Sequence, residues 1–188
     1  MKKILLLLIS YLLLFTTSCS VSQKQVNKNE SLPFYKDSVD IKIYFTKSKK
    51  PGEIIFLSVI RKIPKENSVL ESTLQELFLG PTKNEELRGI MTEIPVGTRL
   101  IKIEESEDEL LVDVSGQYLT GGGSATMQVR YLQLYKTLNA IEPDKKLYLH
   151  VDGKSLKTIG GEGLEVSQPL QKIEDYTKKY EKTDSLQP

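Results

Sequence analysis

The chain has one cysteine, one histidine and no tryptophan among its 188 residues, and each scarcity narrows what it can be. A lone cysteine, Cys19, makes no intramolecular disulfide, so the fold must be held by its core. Zinc sites draw on several histidines or cysteines, and only His150 and Cys19 are on offer. An excess of positive charge is missing too: 26 Lys+Arg stand against 25 Asp+Glu, which argues against a nucleic-acid partner. Aromatic residues make up 7%, sparse for a sugar-binding cleft, although nine tyrosines are present. There is also no apolar run long enough to span a bilayer, which takes about 20 residues. The stretch Ile4 to Phe15 falls short of that.

That short run has a different meaning. Lys2 and Lys3 precede it, and Thr16, Thr17 and Ser18 lead from it into Cys19, the layout of a secretory signal with a small-residue cleavage site. The "TTSC" stretch resembles the lipobox of bacterial lipoproteins, with Thr16 standing where a leucine is usual. The resemblance implies diacylation of Cys19, cleavage before it, and a mature protein held on the outer side of a bacterial membrane. The alternative is an ordinary secreted protein with a spare thiol. Residues 1–18 are thus read as signal peptide and 19–38 as a polar tether, with a folded strand around Phe34 and Tyr35 as the alternative. About 170 residues remain after cleavage, enough for one domain. That domain is placed at 39–172, followed by a charged tail at 173–188.

Ile41, Ile43 and Phe45 alternate with polar neighbours, and the β-branched run "IIFLSVIRKI" follows a Pro51-Gly52 turn, so the domain opens with a hairpin. Lys47, Lys49 and Lys50 lie at its tip, and solvation explains them better than an acidic headgroup. Leu70, Leu74, Leu77 and Phe78 form one helical face, capped by Asn67 or Ser68 and ended by Gly80-Pro81. Thr82 and Glu85 have capping-box spacing, which predicts a short second helix through Leu87 and Ile90. "TRLIKIE" and "LLVDVSG" flank the acidic turn "EESEDE" as a second hairpin. The longest helix runs from about Ser124 to Ala140, with Met127, Tyr131, Leu134 and Leu138 in its core stripe. "KKLYLHVDG" closes the domain as a half-buried strand. The predicted class is α+β: a small antiparallel or mixed sheet with two main helices packed on one face, in the order β-β-α-(short α)-β-β-α-β.

Candidate chemistry is thin. The acidic turn, Glu104 to Glu109, lacks the alternating ligands and central glycine of an EF-hand loop. His150 could be oriented by Asp152, two residues on and on the same strand face, but no nucleophile elbow accompanies it. The stretch "TGGGSAT" lacks the lysine and spacing of a P-loop. Its Gly121, Gly122, Gly123 and Ser124 remain a candidate anion or ligand site, because free amides at a helix start carry partial positive charge. The plainer reading is a tight turn into a helix capped by Ser124. No catalytic residue, metal ligand or cofactor motif is assigned.

The stretches "VIRKIP", "LQELFLGPTKNEELRGIMTEIPVGTRLIKI", "LLVDVSGQYL" and "LHVDGK" resemble, in order and spacing, the GerMN domain of spore-germination and sporulation proteins and other envelope lipoproteins. The resemblance covers about residues 40–170. "SQPLQKIEDY" is similar to the ending often found after that domain. What it implies is an extracytoplasmic α+β module without established catalytic residues, akin in fold to ring-building motifs of secretion machines. Its expected partners are the membrane, through the lipid, and another envelope protein or a second copy of itself. Binding of cell-wall glycan or a small anion is the alternative.

Overall fold

Thirteen residues, Ser38–Lys50, form β1, and twelve, Glu53–Pro64, return beside it as β2. In the computed structural model the described residues are 37–50, 52–65, 68–161 and 163–171. The antiparallel register sets Ile43 opposite Val59 and Phe45 opposite Leu57, so the period-2 alternation buries one continuous face. The short strand β3, Ile90–Met91, pairs with the opposite edge of β1 at Lys47 and Thr46.

Helix α1, Val69–Leu79, is capped by the Ser68 hydroxyl, which accepts from the Glu71 N–H. It buries Leu70, Leu74 and Leu77, and stops where Gly80 takes φ 81°, before Pro81. Helix α2, Lys83–Leu87, has the full capping box: Glu85 N–H donates to Thr82 Oγ1, and Thr82 N–H donates to Glu85 Oε2 at 2.7 Å. It ends sooner than its spacing suggested, because Gly89 turns the chain and Ile90 is taken into β3.

The second hairpin is β4, Leu100–Glu105, with β5, Glu109–Val114. A 3-10 turn, Gly116–Leu119, and helix α3, Ser124–Ile141, then carry the chain to β6, Lys146–Val151, which pairs with β5 in parallel. A crossover helix is what a parallel pair requires. Short strands β7, Lys154–Ser155, β8, Thr158–Ile159, and β9, Leu164–Glu165, complete the domain.

The fold is α+β with two main helices, as the sequence predicted, and both helices pack against β1. Where one sheet was expected, the strands divide into β2-β1-β3, β4-β5-β6-β7 and a β8-β9 pair. The reason lies at the edge of β1. Past β3, that edge is completed by α3 side chains: Tyr44 N–H donates to Thr137 Oγ1 at 3.1 Å, and Gln133 Nε2 donates to the Tyr44 carbonyl at 3.3 Å. Helix side chains thus occupy the place a joining strand would need. Tyr118, Tyr131, Leu132, Leu134 and Leu138 fill the centre of one shared core. The tether's Phe34 and Tyr35 and the tail from Lys172 lie outside the described residues, as does Asn67.

Candidate functional site

The glycine loop is exposed, and two of its residues need their flexibility. Gly121 and Gly122 have φ of 67° and 78°, and a Cβ on Gly122 would come within 2.5 Å of Thr126 Cγ2. The expected Ser124 cap is not what forms. Gly123 holds the N-cap position with no side-chain bond, and Ser124 is the first helical residue. Its hydroxyl faces Gly160, where an added Cβ would lie 2.7 Å from Oγ. The chain reaches helical geometry one residue earlier than a Ser124 cap requires.

Beneath the loop sits Arg130, 2% exposed and in no salt bridge among the described residues. Its Nε donates to the Glu93 carbonyl at 2.7 Å, Nη2 to that of Gly121 at 3.2 Å, and Nη1 to that of Tyr118. The guanidinium also lies over the Tyr118 ring, 5.9 Å from its centroid. Burial lowers the Arg130 pKa from its ordinary value, with Tyr118 and Glu93 acting the other way. Tyr118 Oη is buried without a hydrogen-bond partner among the described residues, and burial raises its pKa. A polar residue inside the apolar stripe "MQVRYLQL" was the sequence signal for Arg130, as for Gln133.

Strand pairing sets Asp113, His150 and Ser155 side by side on the face of the second sheet away from the core. The geometry does not turn them into a catalytic relay. Both Asp113 oxygens accept from Gly153 N–H, at 3.1 and 3.0 Å. Asp152, the expected orienter of His150, instead accepts from Gly116 N–H at 2.9 Å. Among the described residues no hydrogen bond joins His150 to either carboxylate or to Ser155, so the base lacks the orienting contact that nucleophile activation uses. The acidic turn is similarly occupied: Glu104 pairs with Lys102, Glu105 with Lys145, and Glu109 accepts from Tyr148 Oη.

A third feature was not anticipated. Between α1 and β4 runs an open groove of about 840 Å3, with Phe78, Leu79, Val96, Leu100, Ile101 and Ile103 along it. Leu79, Val96 and Ile101 are 79%, 92% and 52% exposed. Gly80-Pro81 ends α1 just past Leu79, Val96 sits inside the Pro95-Gly97 turn, and Ile101 is the extra residue at the register shift of β4, so none of the three is drawn into the core. An aliphatic residue inside turn chemistry is the signal that could have marked the groove.

A family model described as sporulation and spore germination, Germane, matches residues 42–157. The chain belongs to the Germane family. That family is not a known catalytic one. Among solved structures, the tandem GerMN domains of the sporulation protein GerM from Bacillus subtilis align at a TM-score of 0.58 and 17% identity, over 77% of this chain and 49% of that one. The first GerMN domain of the same protein aligns at 0.52 and 16% identity, over 71% and 98%. The chain therefore spans about half the length of the tandem structure. No curated protein matches.

The Germane motif residues have structural roles. Arg61 of β2 places two guanidinium N–H groups on the Glu85 carboxylate, each at 2.6 Å, and a third nitrogen 3.4 Å from Glu76. One carboxylate thus closes the capping box and fastens α2 to the hairpin. Burial alone would raise the Glu85 pKa, but Arg61 and the Thr82 N–H outweigh it and hold the carboxyl below its ordinary value. Cys19, the predicted lipidation site, lies outside the described residues.

Proposed function

We propose that this Germane domain is a non-enzymatic interaction module, tethered by a lipidated Cys19 to the outer face of a bacterial membrane and acting in envelope assembly. Sporulation or germination is the setting that the family description supplies. The observation that carries the reading is the groove between α1 and β4, where three exposed aliphatic side chains converge beside a sheet edge. Surfaces of that kind are used to bind extended or helical segments of partners. The signal-like N-terminus and the "TTSC" stretch support the location.

A photo-crosslinking residue at position 79 or 96 of the full chain, expressed in membranes, tests the module. Adducts with protein are expected there and not at Ile60, an exposed aliphatic residue that lies on β2. Equal labelling at all three positions would count against the groove. Incorporation of radiolabelled palmitate, lost in Cys19→Ser, tests the anchor.

A second reading, binding of a small anion or cell-wall glycan at Gly121 to Ser124, is favoured by one observation: the buried Arg130 beneath the loop forms no salt bridge among the described residues, and its guanidinium is held by backbone carbonyls. Titration with phosphate and with peptidoglycan fragments should move the Gly121, Gly122 and Gly123 amide resonances. Unmoved resonances would remove this reading.

A further inference from the structure

Among the described residues strand β4 is at the end of its sheet, in the order β4-β5-β6-β7, and no strand there pairs with its outer edge. The run into and along it is polarised: Arg99, just before the strand, and Lys102 come first, Glu104 and Glu105 last. Arg99 is exposed and makes no ion pair among the described residues.

A β-bulge gives this polarity a geometric meaning. The pairing with β5 slips between Leu100 and Lys102, so Leu100 is opposite Val114 and Lys102 opposite Asp113. Arg99 lies level with Ser115, whose N–H donates to the Arg99 carbonyl at 2.9 Å. Lys102 and Glu104, opposite Asp113 and Leu111, share the outer face, while Leu100 and Ile103 share the core face with Val114 and Val112; exposed Arg99, one residue before Leu100, continues the alternation onto the outer face. In an unbulged strand Arg99 and Glu104, five residues apart, would point to opposite sides.

We propose that the free edge of β4 pairs antiparallel with β4 of a second copy of this chain, in the register that places Arg99 opposite Glu104 of the other copy. This rests on the interaction-module reading and supplies its partner. The same register sets Leu100 opposite Ile103, so both faces are matched at once. Running the second strand antiparallel brings each basic half onto an acidic half, whereas parallel pairing stacks like charges. Exposed Ile101 sits near the two-fold axis, and the α1/β4 grooves of the two copies flank the joined strands.

The test uses the full chain in detergent micelles, with association followed by sedimentation. Arg99→Glu and Glu104→Arg should each weaken self-association by about tenfold or more, since each puts like charges opposite one another. Loss of the intramolecular Lys102 and Glu104 pair adds little, because it is exposed. An equimolar mixture of the two variants should associate again, because every facing pair is then opposite in sign. Thermal melting of each variant checks that it folds. A monomeric wild-type chain, or a mixture that stays dissociated, overturns the proposal. If the chain is monomeric while positions 79 and 96 crosslink to a different protein, the second copy is wrong and the interaction module stands. If those positions crosslink to nothing, both fall.

Discussion

Glu85 shows how much one residue can do. Its carboxylate closes the capping box of α2 and receives the Arg61 guanidinium, in a site where both side chains are largely buried, 6% and 12% exposed. Arg61→Ala should therefore cost about 3–5 kcal/mol in denaturant unfolding, because it leaves a carboxylate buried without its cation. The double change Arg61→Met with Glu85→Leu should recover only part of that, since the Thr82 N–H loses its acceptor. The capping pair was legible from the spacing of Thr82 and Glu85. The partner on β2 was not, because nothing local links positions 61 and 85. Neighbouring glycines offer a second contrast. Gly122→Ala combines a positive φ with the close contact to Thr126 and should destabilise by about 1–3 kcal/mol, whereas Gly123→Ala meets no atom within 4 Å and should cost little. Thermal melts of the two variants would separate these effects.

At the level of elements, α3 is the least conventional. Its apolar stripe was readable from period, yet Gln128, Arg130, Gln133 and Thr137 are buried in the same helix. Gln133 accepts from the Glu93 N–H at 2.7 Å and donates to the Tyr44 carbonyl and Thr92 Oγ1, joining α3 to two separate segments. Gln133→Leu should destabilise by about 1–3 kcal/mol for each buried group left unpaired, and amide exchange should quicken at Glu93. The start of α3 offers the opposite change. Gly123 has the extended φ and ψ of a cap, −97° and −174°, but no side chain to fill it. Gly123→Ser should stabilise the domain by about 0.5–1 kcal/mol, seen as a higher melting temperature.

For the whole molecule, the pH profile follows from groups already placed. The Glu85 pKa is depressed below 4.5 in the folded state, so its stabilisation is complete above that value and is lost as pH falls through the folded pKa. Tyr131 behaves in reverse: burial, partly offset by the Gln171 N–H that donates to its Oη at 3.1 Å, pushes it up to about 12 from 10.0. Its contribution is complete below pH 10 and is lost as pH rises through about 12. Denaturant unfolding across pH should therefore show shoulders on both sides, with Glu85→Gln flattening the acid limb and Tyr131→Phe the alkaline one.

The sequence by itself determined the local units. Alternation fixed β1, β2, β4, β5 and β6, helical spacing fixed α1 and α3, and glycine, proline and caps fixed where most of them end, since all of these are properties of neighbouring residues; the two-residue strands β3, β7, β8 and β9 are too short to carry such a pattern. It also carried the motif set by which the chain resembled its family. Tertiary structure alone decided how those units share partners: that α3 side chains complete the edge of β1, that Asp152 serves Gly116 and not His150, and that Arg61 meets Glu85. It also left Leu79, Val96 and Ile101 exposed along one groove. Such pairings depend on which distant segments fold back against each other, and no periodicity within one segment encodes that.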